Sequence, residues 1–330
     1  MVSTKEIVAA NSAFATERTS GKVFVFTGAT SGIGAATMEK LASMVDTATF
    51  YVAGRSAPRF SPLRAKLEAL NQNIRIVFFE CNVSLLADMD AFSALITASE
   101  KSVDYLCMSQ GALPFTGAQY TTESLELCVS LSYLSRARLV SSLLPLLRNS
   151  PRPRILSILN GGKETTLNTA DLGLAHPGSW TPFAAIAQTT MMTTLAFEHL
   201  ARLPGNERVT FLHAFPGLVR TGIGANIVAP PGAGWWQRVR AAVLRGAVRV
   251  MMFLMGVDVE RAGERGAYLV AGAGPGAGPG LAEGGAWLVD DKSEVAAGPV
   301  GVLERYRAEG WPEKIWEFTV GVFERVLGAA

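Results

Sequence analysis

The 330-residue chain is poor in charge, in cysteine and in histidine. Charged residues make up 18% and nearly cancel, 30 Lys and Arg against 28 Asp and Glu, so no general attraction to nucleic acid is expected. Cys81, Cys107 and Cys128 are scattered, odd in number and without metal-type spacing. They read as reduced core thiols, which points to a reducing, cytoplasmic setting. The N-terminal stretch MVSTKEIVAANSAF has no uninterrupted apolar run, so no secretory signal is read there. The longest apolar stretch, 235–256, is broken by Arg238, Arg240, Arg245 and Arg249, which argues against a spanning helix.

What is present is alternation. Short, almost wholly apolar runs read as strands: KVFVFT from Lys22, ATFYVA from Ala48, IRIVFF from Ile74, VDYLCM from Val103, RILSI from Arg154, RVTFLH from Arg208 and GAWLV from Gly285. Helix-like stretches begin near Gly32, Pro62, Ala87, Thr122 and Phe183. Apolar strands alternating with helices predict an α/β, doubly wound, mostly parallel seven-stranded sheet with helices on both faces. Seven strands need most of the chain, so one domain over 21–295 is expected, with helical extensions at 1–20 and 296–330. The tract AGAGPGAGPG, 271–280, precedes the last strand and reads as a surface loop inside that domain.

Between the first strand and helix lies TGATSGIG, residues 27–34. Gly28 permits a tight turn, and Gly32 and Gly34 remove side chains where a pyrophosphate would approach the backbone. The helix that begins there offers free N–H groups and the positive end of its dipole. Thr30, Ser31 and Ile33 complete this phosphate loop. The strand before it and the helix after it supply the context that the glycine pattern requires.

From about residue 20 to 295 the chain resembles the short-chain dehydrogenase/reductase family, and within it fungal secondary-metabolism members with an extra N-terminal helix. The resemblance rests on the T-G-x-x-x-G-x-G spacing, on VAGRS closing the second strand, CNVS closing the third, and HAFPGLVRT after the sixth. It implies a Rossmann fold and a nicotinamide dinucleotide held by Arg55, Ser56, Asn82, Val83, Ser109 and Gly111. Pro216, Gly217, Val219 and Thr221 would meet the carboxamide. With Gly54, Arg55 and Ser56 and no carboxylate at the second-strand end, the expected cofactor is NADP(H) rather than NAD(H).

The family's Asn-Ser-Tyr-Lys tetrad is absent. Its positions fall on Ser132, Asn160, Thr181 (or Trp180) and Ala185, and no tyrosine has a lysine four residues on. Candidates to fill the roles are Asn160, Thr181, Gln188, Lys163 and His176; Thr181 and Gln188 share a helix stripe, while His199 and His213 read as structural. The segment 222–257 replaces the family's substrate-covering helix. Its arginines are expected to face solvent and its apolar face to cover a lipophilic substrate, with membrane-surface contact through 235–256 as the alternative. The C-terminal aromatic helices should pack on the domain or form a homodimer contact. The implied activity is a ketone reductase or alcohol dehydrogenase on a small hydrophobic substrate. The missing tetrad leaves open a non-redox cyclase or isomerase, or a cofactor-binding regulator.

Overall fold

A computed structural model describes residues 2–328 apart from 18, 113–116, 177, 222–231, 233 and 272–282. Seven strands lie in one sheet: β1 (Lys22–Thr27), β2 (Ala48–Gly54), β3 (Ile74–Glu80), β4 (Tyr105–Met108), β5 (Arg154–Ile158), β6 (Thr210–Ala214) and β7 (Gly285–Val289). Their order is β3-β2-β1-β4-β5-β6-β7 and every pairing is parallel. The chain winds one way through β3 and the other way from β4, so the strand order reverses between β1 and β4. In such sheets the crevice at the carboxyl ends of those strands is where ligands bind.

Period-two alternation divides β1 between two cores. Phe24 and Phe26 point to one face, where they pack with Phe50, α2 (Gly32–Ala42) and α9 (Val259–Ala271). Val23 and Val25 point to the other, against α4 (Leu86–Ser99) and α6 (Ser135–Arg148). A third apolar cluster joins α7 (Pro182–Arg202) to α10 (Val300–Ala308) and α11 (Trp311–Leu327) through Leu195, Leu303, Ile315 and Phe323. The C-terminal helices thus pack on the body. All three cysteines are buried and free.

Two helix starts differ from the sequence expectation. The helix expected near Pro62 is α3 (Ala57–Leu70), which begins five residues earlier because Ser56 caps its first turn through the Arg59 N–H. The one expected near Thr122 starts at α5 (Leu127–Val129), capped by Glu126, after a turn closed by Thr121 N–H on Leu125 O. It continues through a π turn at Ser130–Leu134 into α6. The glycine tract lies outside the described residues except Ala271, the last residue of α9.

Helix α9 presses on α2 at two glycines, and α1 (Thr4–Thr16) packs in turn on α9, where Asn11 bonds Glu264. A Cβ on Gly266 would stand 2.1 Å from Thr37 Oγ1, and one on Gly263 would stand 2.6 Å from the Ala36 methyl. Gly266→Ala should therefore cost about 1–3 kcal/mol, the usual range for overpacking. Equilibrium denaturation checks this; unchanged stability would mean α9 can withdraw from α2 freely.

Candidate active site

The phosphate loop is locked to the end of β4. Gly28 has φ +73°, and a Cβ there would lie 2.2 Å from the Gln110 backbone nitrogen. Ser109 donates its N–H to Thr27 O at 2.9 Å and its hydroxyl to Gly28 O at 3.1 Å, while Thr27 Oγ1 donates to Gln110 Oε1 at 2.7 Å. Gly34 corrects one expectation. Its missing side chain makes room for Ser109 Oγ, 2.2 Å from the Cβ position, and not for a pyrophosphate. Gly32 does keep open space. At φ +61° its one close neighbour among the described residues is Thr221, whose methyl lies 3.3 Å from a Cβ. Ser31 starts α2 in an extended conformation without capping it, and the first turn carries no acid. Uncapped N–H groups beside an open glycine fit an anionic diphosphate.

At the end of β2, Arg55 is exposed and has no ion pair among the described residues. Beside it, Ser56 caps α3 and the Thr30 methyl packs where a Gly54 Cβ would be. The neighbouring strand brings a carboxylate that sequence reading missed. Glu80 pairs in register with Gly54, and its Oε2 accepts the Ala57 N–H at 2.8 Å. Asn82 turns its carbonyl onto Ser84, at 3.2 Å from the backbone N–H and 2.9 Å from the hydroxyl, next to buried Val83. Gly111, half-buried, follows Gln110 with nothing near its Cβ position among the described residues.

The carboxyl ends of β5 and β6 carry Asn160, Lys163 and the 216–221 loop, the residues expected to serve the reaction. Asn160 Nδ2 reaches Thr190 Oγ1 at 3.4 Å, and its backbone N–H donates to His213 Nε2 at 3.3 Å. That bond fixes the imidazole as neutral, with its proton on Nδ1 facing Thr194 Oγ1 at 2.8 Å. Thr194 in turn donates to Glu164 Oε1 at 2.7 Å. Burial pushes the His213 pKa down to about 3 and the Glu164 carboxyl up. Lys163 is exposed and holds its ammonium 5.2 Å from the Phe215 ring centre, one residue before Pro216. The 216–221 loop follows, with Gly217 at φ +75° against Asp291 and Val219 paired to Val257.

Arg136 is the residue sequence reading overlooked. It is wholly buried, donating to Met108 O, Ser157 Oγ and Ile158 O at 3.2, 2.6 and 3.1 Å, and to Gln110 O. Desolvation pulls its pKa down to about 9, so it remains charged at neutral pH. It ties the carboxyl ends of β4 and β5 together beneath the site. The signal was legible: Ser132, Arg136, Leu139, Leu143 and Leu147 form one buried stripe, and arginine is foreign to it.

The other candidates are not brought to Asn160. Thr181 is the N-cap of α7, its hydroxyl accepting the Ala184 N–H at 3.0 Å. Ala185 is fully buried in the third apolar cluster. Gln188 corrects its assignment: Oε1 accepts the Asn168 N–H at 3.0 Å and Nε2 donates to Asn168 O at 3.2 Å, so it pins a loop and has no free end for a ribose. His176 sits 3.3 Å from Asp171 on a groove of about 350 Å³ that none of the phosphate or 216–221 loop residues line.

Since His213 is neutral in the fold but titrates near its ordinary value when unfolded, the unfolded chain binds the extra proton as pH falls below about 6.5. Stability contributed by His213 should therefore be lost between about pH 6.5 and pH 3, by roughly 4 kcal/mol over the whole window. Glu164, raised by burial, pulls in the opposite sense. Denaturation of wild type and His213→Gln between about pH 7 and pH 5 isolates the imidazole. A slope left unchanged by the substitution would show that it carries no such linkage.

Comparison with known proteins agrees with this geometry. The short chain dehydrogenase family matches residues 22–168, which hold the phosphate loop and β1 to β5. Oxidoreductase lepF of Aspergillus flavus is 34% identical over 360 residues, covering 99% of this chain and 98% of its own. Oxidoreductase AN1596 of Emericella nidulans is 31% identical, with 99% of each chain covered. Among solved structures, a short-chain dehydrogenase/reductase from Serratia marcescens covers 83% of this chain and 98% of its own at 20% identity and a TM-score of 0.54, a likeness of fold. With relatives alike from end to end and the family pattern laid over the phosphate-loop half of the sheet, this chain belongs to the short-chain dehydrogenase/reductase family.

Proposed function

We propose that the protein is an NADP(H)-dependent oxidoreductase interconverting a ketone and an alcohol on a small hydrophobic molecule of secondary metabolism. The observation that carries this is the convergence of the open, uncapped start of α2 with the 216–221 loop, where Gly32 faces the Thr221 methyl. One end holds a diphosphate and the other orients a nicotinamide, which supplies or accepts a hydride when bound. The fit to NADP(H) in particular is supported by Arg55, free to meet a 2′-phosphate, and by Glu80, whose carboxylate is already engaged by Ala57. Asn160 stands at the family's serine position and holds the substrate oxygen with its side-chain amide. Lys163, over Phe215, places positive charge beside that oxygen as charge develops on it.

Without a lysine-tuned phenol, simple ketones should turn over slowly, and the preferred substrate should be activated by its own conjugation. A non-redox reaction in the same site is the second reading. It is favoured by Ala185, whose fully apolar surroundings leave no place for the family's lysine. Stereospecifically deuterated NADPH with a panel of hydrophobic ketones and enones separates the two. Deuterium in the product supports hydride transfer; conversion without label sinks it in favour of the non-redox reading; binding without conversion points to a regulator.

Cofactor choice has its own test. A guanidinium–phosphate contact contributes roughly 1.5–3 kcal/mol, so Arg55→Asp should weaken NADPH at least about tenfold and spare NADH. Glu80→Gln, which removes a negative charge near the same place, should strengthen NADPH. Fluorescence titration reads both, and equal losses for the two cofactors would make Arg55 structural.

A further inference from the structure

Helix α8 (Trp235–Met255) turns to the body a different face from the one expected to cover a substrate. On a projection at about 100° per residue, Ala241, Leu244, Val248 and Met252 fall on one strip, and these are the buried or half-buried positions among the described side chains. The wider apolar face points the other way, into solvent. Val243 is 67% exposed, Phe253 71% and Leu254 72%, and Trp235 and Trp236 stand stacked and exposed at the helix start with ring centres 3.8 Å apart. These residues share an arc of about 120°. Arg238, Arg245 and Arg249 border that arc on one side and Arg240 borders it on the other. No carboxylate lies on the helix, which therefore carries four positive charges in a chain that nets +2, leaving −2 for all other residues.

We propose that α8 is an interfacial helix that docks the protein on the surface of a bilayer bearing anionic headgroups. Its length of about 32 Å suits a helix lying flat, its aromatic pair suits the headgroup boundary, and its arginines suit phosphate-bearing lipids. Among the described residues no helix is long and apolar enough to cross a membrane, so α8 lies on a surface and does not span it. A second copy is the poorer occupant. Stacking the same face by either two-fold arrangement sets arginine against arginine, because the helix has no acid to answer them. The helix is firmly joined to the body at its C-terminal end, where Val257 donates to Leu218 O at 2.7 Å and Arg220 lies over the Phe253 ring. Docking would bring the 216–221 loop to the membrane.

The test is co-sedimentation of the full-length protein with phosphatidylcholine vesicles, with and without about a third of phosphatidylserine. Anionic vesicles should bind at least about tenfold more tightly than neutral ones, and salt at about 0.5 M should release the protein. Arg238→Glu with Arg245→Glu and Arg249→Glu, and separately Val243→Glu with Leu254→Glu, should each cut binding at least about tenfold with the melting transition unchanged, since these side chains are exposed. A fluorescence blue shift on anionic vesicles should vanish in Trp235→Phe with Trp236→Phe. Equal binding to neutral vesicles, no binding to either kind, or binding indifferent to both sets of substitutions would overturn the proposal. So would a dimer in sedimentation velocity that Val243→Glu dissolves, which would assign the face to a second copy.

Discussion

The contact on which the site depends is the approach of the β1–α2 turn to the end of β4. At Gly28 and Gly34 backbone and a serine hydroxyl occupy space where any side chain would stand. That closeness lets Ser109 and Gln110 bond the turn from below, so the free N–H groups of α2 are aimed by β4 rather than by the loop itself. Beneath the same strand end Arg136 gathers the carbonyls of residues 108, 110 and 158. A carbonyl cluster drawn together around one buried cation is held more firmly than three separate hydrogen bonds would hold it, because losing the cation would strand every acceptor at once. On the same face of the sheet, α9 packs closely against α2 through its two glycines. The turn is thus gripped from the strand, from the helix and from the floor.

On the reaction side the polar groups have been turned inward. His213, Thr194 and Glu164 form a closed chain that ends on the Asn160 backbone, and Gln188 is spent on Asn168. What remains directed outward is Asn160 and Lys163. The place of the family's lysine is filled by an alanine among leucines and methionines. The glycine pattern of the family's phosphate loop is therefore kept, while the positions of its tyrosine and lysine fall on Thr181 and Ala185.

The sheet was legible because its strands are short apolar runs punctuated by glycine and helix caps, and all seven appear within a residue or two of their expected starts. The phosphate loop was legible because its glycines sit between a strand and a helix. Glu80 was not, since only the β2–β3 register sets it beside Gly54. Gln188 misled because a helix stripe tells which residues share a face and not what that face meets; the loop at Asn168 reaches it first. Helix α8 misled for the same reason. Amphipathicity shows that two faces differ, but the side turned to the body was the narrow strip at Val248, and no periodicity announces that.

Helix α11 lies far along the chain from what it covers: Ile315, Val322 and Phe323 complete the apolar cluster on α6 and α7, and Thr319 bonds the Tyr133 hydroxyl at 2.5 Å. During synthesis the sheet strands through β6 and the cofactor turn emerge well before that cover. Until α11 has followed, the outer flank of α7 presents leucine and methionine to solvent. The nascent chain therefore passes through a stage with its phosphate loop made and its flank bare, the kind of surface that draws chaperones or neighbouring chains.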